Sequence, residues 1–365
     1  MFARNIKQIQ GEFKYHWKKN GFLEFSPASV VSPPATSNSL FISYGFMNHL
    51  KRIEAEGTLE CSFVGSQPCI ECESRNLPPP KAKIENGCFN FFRQLNCVAV
   101  NGFSLDWFTV QIWIYLTHMS RLDPARICLG INPAGPEITK HWNELGAFSD
   151  NIFLLKNSAN KLSVPALNLE GYYHSLVYDR GRDHHLACDG EGCGIYCDCG
   201  RFLELGNIGV IRLGEKYILD HNINLERLAS VRFGLDSVAD ISEILGLADF
   251  AASRFFVSRE KSLILSDYFR SVLVLVGSGL TSFDKGQGFR LRNLLHQIFK
   301  IIPNERFNDH SLRLVLEEAA KSVGETYFSI IDDALELIFS EYLNYLEKDK
   351  KSQKTINLEA EEVLN

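Results

Sequence analysis

The side chains best suited to bind a metal are concentrated in one short segment of this sequence. Residues 183–200 read DHHLACDGEGCGIYCDCG and hold four of the ten cysteines: Cys188, Cys193, Cys197 and Cys199. With His184 and His185, they offer the sulfur and nitrogen donors that Zn²⁺ prefers in a tetrahedral site. The spacing C-x4-C-x3-C-x-C contains no C-x2-C pair, so a reduced, cysteine-rich surface loop stays open as the alternative.

Charge is a second feature that is unevenly distributed. The whole chain has a net charge of -6, which argues against a generally basic nucleic-acid-binding protein. Residues 254–313, however, contain ten Lys or Arg against five Asp or Glu, a local charge of +5 that leaves -11 for the remainder. The average therefore hides a local basic excess.

The elements that must position these residues change in kind along the chain. Alternating β-branched and aromatic residues predict strands at LFISYGF, CSFVGSQPCI, CFNFFRQL, NCVAVNGF, ARICLGIN and FLELGNIGVIRL. The predicted helices of this part are residues 4–20, with Ile6, Ile9, Phe13 and Trp17 on one face, residues 106–119 with an Asp cap, PEITKHWNELG and NLERLASVRFG. From about residue 238 the period is helical, and one long helix is predicted over 311–346, interrupted near Gly324.

This pattern predicts an α+β fold in which a largely antiparallel sheet with flanking helices is followed by helices alone. We expect a domain of residues 1–236, an all-helical domain of residues 237–346, and a charged, frayed tail of residues 347–365.

Length and composition indicate a folded, soluble protein. The 365 residues are 45% hydrophobic, 22% charged and 12% aromatic, enough for two buried cores and unlike a disordered chain. The longest apolar run, residues 271–280, is far shorter than the roughly 20 residues needed to span a bilayer. Because the N-terminus lacks the apolar core of a secretory signal, a cytoplasmic location is expected. Disulfides are not expected there.

Three segments carry a family resemblance. They are FLELGNIGVIRL with the following YILDHNINLERLASV, then SLILSDYFRSVLVLVGSGLTSFDKGQGFRLRNLLHQIF, and the weaker SNSLFISYGFMNHLK. These are similar to the alanyl-tRNA synthetase motifs E-x-W-N-x-V-F with D-T-G-M-G-L-E-R, A-D-H-I-R…D-G-V-x-P-S-N…R-G-Y-V-L-R-R, and L-L-F-T-N-A-G-M-x-Q-F-K. Their order and spacing agree over about residues 5–325. The chain therefore resembles the front part of a class II aminoacyl-tRNA synthetase.

The resemblance implies that the sheet domain activates an amino acid. Such a reaction joins a carboxylate to the α-phosphate of ATP, with Mg²⁺, and requires cations at the phosphates and a carboxylate for the substrate ammonium group. Asp220 would hold the ammonium group, Asn207 would orient the substrate, and Phe153 would replace the tryptophan of the family above it.

The same resemblance implies an ATP site at the start of the helix that follows Asp220. Arg227 would contact the γ-phosphate there, where backbone N–H groups also favour anions, and Glu226 would lie beside it. Two plainer interpretations stay open: Asp220 could cap this helix, and Arg227 could pair with Glu226 or a neighbour.

Several positions depart from the family pattern. Glu71 stands where the family has the arginine of the α-phosphate, so Arg75 or Arg93 would have to substitute for it. Arg93 itself stands where the family has a glutamate. Asn222 and Asn224 replace two glycines, which leaves less room for a close nucleotide.

The basic segment corresponds to the part of the family that binds the tRNA acceptor stem. The implied phosphate contacts are Arg270, Lys285, Arg290 and Arg292, with His296 nearby, and a solvated helix face is the alternative. The family's editing domain would follow residue 365, so correction of mischarged tRNA in cis is not expected.

The function predicted from the sequence is that of an alanyl-tRNA-synthetase-like ligase in protein biosynthesis. It would activate alanine or a similar small amino acid with ATP for transfer to tRNA. Two alternatives stay open: a non-catalytic paralogue that binds tRNA or an amino acid, and an amino-acid-activating enzyme of a specialised biosynthetic pathway.

Overall fold

The computed structural model describes most of the chain. The described residues are 5–72, 81–100, 102–146, 149–156, 160–181, 193–195, 197, 199–282 and 285–364; for residues 81, 82, 149 and 349–364 the description covers the backbone only.

Two compact units divide the chain. The first comprises residues 1–71 and 80–242, and the second comprises residues 72–79 and 243–365. We call them the sheet unit and the helical unit. That each is a domain, with the boundaries at residues 236 and 346 expected from the sequence, stays a prediction.

Nine strands are present among the described residues of the sheet unit. They are β1 Leu23–Glu24, β2 Phe63–Ile70, β3 Phe91–Val100, β4 Ile127–Ile131, β5 Ile152–Leu154, β6 Lys161–Val164, β7 Leu169–Asp179, β8 Phe202–Leu213 and β9 Lys216–Asn224. Their order is β1-β2-β3-β9-β8-β7-β4-β5, with β6 added beside β7. Only the outer pairs β1–β2 and β4–β5 are parallel. The α+β class with a largely antiparallel sheet is thereby confirmed.

In the part of the chain that the structure describes, six α-helices accompany the sheet: α1 Ile6–Lys19, α2 Met47–Glu56, α3 Lys81–Glu85, α4 Leu105–Ile114, α5 Ile138–Glu144 and α6 Leu225–Arg232. The apolar face predicted for α1 is buried, with Phe13 and Trp17 both 0% exposed. Helix α4 continues as a π-turn through Met119, and its cap differs from the expectation. Ser104 accepts a hydrogen bond from the backbone of Trp107, whereas Asp106 lies inside the first turn.

One strand expected from the sequence, LFISYGF, is not a strand. Phe41 and Ile42 are 0% exposed, and the Ile42 amide donates to the Val30 carbonyl 2.8 Å away rather than to a neighbouring strand. The apolar pattern of this segment therefore reflects burial. Conversely, CFNFFRQL and NCVAVNGF contribute to one strand, β3.

Strand register places a row of polar side chains on one face of the sheet. Ser175 of β7 pairs with Asn207 of β8, Asn207 with Asn222 of β9, and Asn222 with Asn96 of β3. Residues directly opposite each other in a sheet project from the same face. This row positions the candidate site.

The helical unit is built from α7 Ser242–Phe255, which begins at the last residue of the sheet unit, α8 Arg259–Gly277, α9 Gly286–Ile301, α10 Asp309–Val323 and α11 Ile331–Leu364. The break predicted near Gly324 is confirmed, because α10 ends there and a 3₁₀ segment precedes α11. The expected frayed tail is instead a continuation of α11, in agreement with the helix propensity of its Lys, Glu, Gln, Leu and Ala residues. Among the described residues, no helix has the length and apolar character of a membrane span.

Candidate functional site

A small cavity lies at this row of side chains. Its volume is about 260 Å³, and it is lined by Tyr44, Gln94, Asn160, Lys161, Leu162, Tyr173, Asn207 and Asn222. The Tyr173 ring, which lines the cavity, packs directly on Gly209. A Cβ at Gly209 would come within 2.5 Å of that ring. Asn207, predicted from the sequence as a substrate contact, is part of this lining.

Asp220 is a buried carboxylate beside this cavity. Its exposure is 0%, and it accepts hydrogen bonds from Asn96 Nδ2 at 2.6 Å and from Asn222 Nδ2 at 3.3 Å. Burial raises its pKa to about 7, against the opposing effect of these amide donors. The pKa of Tyr44 is raised to about 12 by burial and by the charge of Asp220. Asp220 is therefore set to change charge near neutral pH.

A continuous chain of hydrogen bonds holds this carboxylate. On one side, His49 Nε2 lies 2.9 Å from Asn96 Oδ1, and burial lowers the pKa of His49 to about 3, which keeps the ring neutral. On the other side, Gln94 Nε2 donates to Asn222 Oδ1 at 3.0 Å, and the Gly45 amide donates to Gln94 Oε1.

Gly45 belongs to SNSLFISYGFMNHLK, the third segment of the sequence resemblance. The close packing around Gly45 explains why this position holds a glycine. A Cβ there would lie 2.7 Å from Asn96 Cβ, so only glycine permits this approach.

Asn222 occupies the position between Asp220 and the cavity. Its amide donates to Asp220, accepts from Gln94, and lines the cavity, whereas Asp220 is not among the lining residues. A ligand entering the cavity therefore meets amide groups before it meets the carboxylate. This asparagine is one of the two that replace family glycines.

Arg227 lies in the first turn of α6. The helix is capped by Asn224, whose Oδ1 accepts from the Arg227 amide at 2.9 Å, so the interpretation of Asp220 as the cap is wrong. The Arg227 guanidinium donates to the Glu204 carbonyl at 2.9 Å, and its buried Nε has no hydrogen-bond partner among the described residues. A buried N–H of this kind suits an acceptor that a ligand would supply.

Glu226 pairs with Arg93 rather than with Arg227. Arg93 Nε donates to Glu226 Oε1, and the Arg93 backbone amide donates to Glu226 Oε2, each at 3.0 Å. Glu226 is 0% exposed and the Arg93 side chain 11%. These two charges therefore neutralise each other, and a role of Arg93 or Glu226 at ATP stays a prediction.

One further predicted contact of the sheet unit lies apart from the cavity. Phe153, on β5, packs edge-on against Phe202 with ring centroids 5.6 Å apart and is not among the lining residues. Arg75 lies outside the described residues.

The cations predicted in the helical unit do not share one surface. Arg270 is 0% exposed, so in this structure it cannot reach a phosphate. Arg292 Nε donates to Glu341 Oε2 at 3.1 Å, and its Nη2 donates to Ser282 Oγ at 3.2 Å. Lys285 is exposed and Arg290 is half-buried. Two of the four predicted contacts are thus accessible.

The burial of Arg270 has a sequence signal that the prediction missed. Helix α8 is buried at every position from Ser262 to Leu275, and its sequence SVLVLVG is apolar on all sides. A helix with that pattern is surrounded by protein, so a cation within it faces the interior.

Three of the four predicted zinc ligands come together. The sulfur atoms of Cys193, Cys197 and Cys199 all lie within 4.8 Å of one another, and Cys193 Sγ lies 3.7 Å from Cys199 Sγ. Cys188, His184 and His185 lie outside the described residues.

Several residues around Asp220 were missed by the sequence reasoning. Gln94 and Asn96 alternate along β3 in the text FRQLN, and Tyr173 lies on β7. Polar residues at alternate positions of a buried strand require partners on one face, and that was the available signal.

The fold and this site define an α+β protein with a small, amide-lined ligand cavity over a buried carboxylate. No protein-family model matches the chain. The alanine--tRNA ligase of Thermoanaerobacter sp. (strain X514) is 23% identical over 237 residues, covering 60% of this chain and 27% of that protein. Those of Caldicellulosiruptor saccharolyticus and Elusimicrobium minutum are 25% and 23% identical and cover 80% and 96% of this chain.

The chain spans only 34% and 43% of those last two relatives. Apo histidyl-tRNA synthetase from S. aureus is a structural neighbour with a TM-score of 0.38 and 11% identity, covering 66% of this chain and 69% of its own. The sequence matches confirm the resemblance predicted from the motifs: the chain is similar, at 23–25% identity, to the front part of alanine--tRNA ligases.

Proposed function

We propose that this protein is an aminoacyl-tRNA ligase-like enzyme that binds a small amino acid in the amide-lined cavity and activates it with ATP. The observation that carries the proposal is the buried Asp220 next to a cavity of about 260 Å³ whose lining includes four amide side chains. Pockets for drug-sized ligands are about 300–1,000 Å³, so this volume favours a small ligand such as alanine.

The proposed reaction is an attack by the amino-acid carboxylate on the α-phosphate of ATP. A carboxylate oxygen forms the new bond to phosphorus, the bond from phosphorus to the bridging oxygen breaks, and pyrophosphate leaves with that electron pair. Asp220, when ionised, would bind the substrate ammonium group, and Asn207 would orient the substrate by hydrogen bonding. Arg227, in the first turn of α6, would bind a phosphate oxygen.

The described residues do not fit a dedicated Mg²⁺ site at this position. Both oxygens of Glu226 already accept hydrogen bonds from Arg93, and Asp220 is enclosed by amides. Mg²⁺ would therefore arrive with the phosphates of ATP.

Amino-acid-dependent exchange of pyrophosphate into ATP, measured for each standard amino acid, tests this proposal. We expect exchange with alanine or another small amino acid. The Asp220→Ala variant should lower the rate by about 10²–10³-fold, as expected for loss of a buried charged contact. Absence of exchange with every amino acid, in a sample whose cooperative unfolding shows that it is folded, would remove the enzyme proposal.

A second candidate is a non-catalytic protein that binds an amino acid or tRNA. Two observations favour this candidate. Asn222 separates Asp220 from the cavity, and the anionic Glu71 stands where a phosphate-binding arginine is expected. Calorimetric titration with alanine and with ATP separates the candidates, since binding without exchange selects the second one.

The acceptor of the activated amino acid is a further part of the proposal. Transfer to tRNA would use the accessible cations Lys285 and Arg290, whereas a specialised pathway would use another carrier with the same activation site. Charging of total tRNA with labelled amino acid distinguishes these, because only the first option gives labelled tRNA.

A further inference from the structure

The three sulfur atoms near the end of the β7–β8 connection have the spacing of metal ligands. In a tetrahedron with Zn–S bonds of about 2.3 Å, neighbouring sulfurs lie about 3.8 Å apart. Cys193 Sγ and Cys199 Sγ are 3.7 Å apart, and Cys197 Sγ lies within 4.8 Å of both. A disulfide requires about 2.05 Å, so this cluster is not arranged as a disulfide.

The backbone that carries these sulfurs is held in place. The Cys197 amide donates to the Gly194 carbonyl at 2.9 Å, which closes a turn between the first two cysteines. Inside this turn, Ile195 packs against β4 at Gly130, where an added Cβ would lie 3.1 Å from Ile195 Cδ1. The turn is therefore docked on the sheet rather than held by its cysteines alone.

The far end of the cluster is anchored by an arginine. Arg180 Nε donates to the Gly200 carbonyl at 2.7 Å, and its Nη2 donates to Asn86 Oδ1 at 2.7 Å. Gly200 adopts φ +89°, and a Cβ there would lie 2.8 Å from Arg180 Nη2. The residue after Cys199 is thus fixed in a conformation that glycine alone adopts easily.

Positive charge adjoins the sulfurs. Arg201 donates to Asp179 Oδ1 and Oδ2 at 2.8 and 2.7 Å and interacts electrostatically with Cys193. Arg180 lies within the electrostatic reach of Cys199. Three thiolates around Zn²⁺ have a net charge of -1, which adjacent guanidinium groups stabilise.

We propose that Cys193, Cys197 and Cys199 bind one Zn²⁺ ion, and that this ion stabilises the connection between β7 and β8. Binding displaces three thiol protons and forms three Zn–S bonds, without oxidation or reduction. Zinc is the ion of choice because sulfur donors in a tetrahedral arrangement select it over Mg²⁺ or Ca²⁺. The fourth corner is left to a further donor or to water. This site does not depend on the proposed amino-acid activation.

Metal analysis of the full chain tests the proposal. The protein is purified under reducing conditions, stripped with a chelator, and reloaded with Zn²⁺ alone. We expect about one zinc per chain after removal of excess ion. Replacement of Zn²⁺ by Co²⁺ should give the intense sulfur-to-metal charge-transfer absorption of a thiolate site.

Matched variants identify the ligands. Cys193→Ser, Cys197→Ser and Cys199→Ser should each weaken Zn²⁺ binding by more than about tenfold, at least the effect of losing an outer-shell partner. Cys61→Ser, which changes an exposed cysteine outside the cluster, should bind as the parent does. Equal zinc contents in Cys193→Ser and in the parent would overturn the proposal.

A spectroscopic measurement on the parent protein covers the case in which the variants do not fold. X-ray absorption at the zinc edge should show a shell of about three sulfur atoms near 2.3 Å. A parent protein that retains no zinc, or whose zinc has only nitrogen and oxygen neighbours, would overturn the assignment.

Discussion

The predicted functional residues come together in the sheet unit but stay separate in the helical unit. In the sheet unit, Asn207 and Asn222 come from different strands and line one cavity, with Asp220 beneath them. In the helical unit, Arg270 is buried and Arg292 is paired with Glu341, so the predicted cations do not form one group. The difference shows that strand register brings separate motifs together, whereas an excess of positive charge does not determine where that charge points.

A large effect is expected for Arg93 of the sheet unit, which pairs with a buried carboxylate. Arg93→Ala should lower the free energy of unfolding by about 3 kcal/mol, because it leaves the fully buried Glu226 without its cation. The urea-unfolding midpoint measures this change. Lys140→Ala, which removes an exposed pair with Glu144, should change stability by less than about 0.5 kcal/mol.

The same variants can contradict the interpretation of Arg93. Adding Glu226→Gln to Arg93→Ala should recover part of the lost stability, since no buried charge then remains. If Arg93→Ala instead left stability unchanged and raised the KM for ATP, Arg93 would be a nucleotide contact.

The buried carboxylate of the cavity should make stability depend on pH. Asp220 has a folded pKa of about 7, against about 3.9 for an unfolded aspartate, so the folded state holds its proton more tightly. The stabilisation from this proton is complete below about pH 4 and is lost as pH rises to about 7. Asp220→Asn should therefore gain stability relative to the parent by up to about 1.4 kcal/mol per pH unit over that range.

Urea unfolding of both proteins at pH 5, 6, 7 and 8 measures this difference. The gap should widen to about pH 7 and stay constant above it. A gap that is independent of pH would show that Asp220 is ionised throughout, which would contradict the raised pKa of its buried carboxyl group.

The helical unit offers a direct contrast between two neighbouring arginines. Arg292→Ala should lower the free energy of unfolding by about 2 kcal/mol, because it leaves the carboxylate of Glu341, 8% exposed, without its main partner. Arg290→Ala, on a half-buried residue of the same helix, should change it by no more than about 0.5 kcal/mol. If both substitutions changed the free energy of unfolding equally, Arg292 could not be called more important for stability than Arg290.

Substitution of Asn222 tests whether its amide limits access of a ligand to Asp220. Asn222→Gly should open a path from the cavity to Asp220 and strengthen binding of a small amino acid roughly tenfold, since the ammonium group would replace the amide. Calorimetric titration measures the affinity, and Asn222→Gln, which refills the space, should show no gain. Weaker binding by the glycine variant would indicate that the Asn222 amide itself contacts the ligand.

The smallest expected effect concerns nucleic acid. If tRNA binds, Lys285→Ala with Arg290→Ala should reduce the slope of log affinity against log salt by up to about two, because each duplex phosphate contact contributes about 0.9. Alanine binding should not change. An unchanged salt slope between 50 and 200 mM salt would assign both residues to an ordinary solvated surface.

Periodicity in the sequence predicted several elements and their order. The spacing of Phe13 and Trp17 predicted the buried face of α1, and the apolar alternation of FLELGNIGVIRL predicted β8, whereas β9 was not predicted as a strand. These predictions succeed because they depend on contacts within a few residues. LFISYGF failed because burial selects the same residue types as a strand does.

The sequence by itself therefore determined the α+β class, the break at Gly324, the resemblance to alanine--tRNA ligases and the residue types of the site. Only the tertiary structure decided which charges meet. Glu226 pairs with Arg93, 133 positions away, and Asn224 rather than Asp220 caps α6. The physical reason is that the partner of a buried polar group is chosen by packing and strand register, which local patterns do not encode.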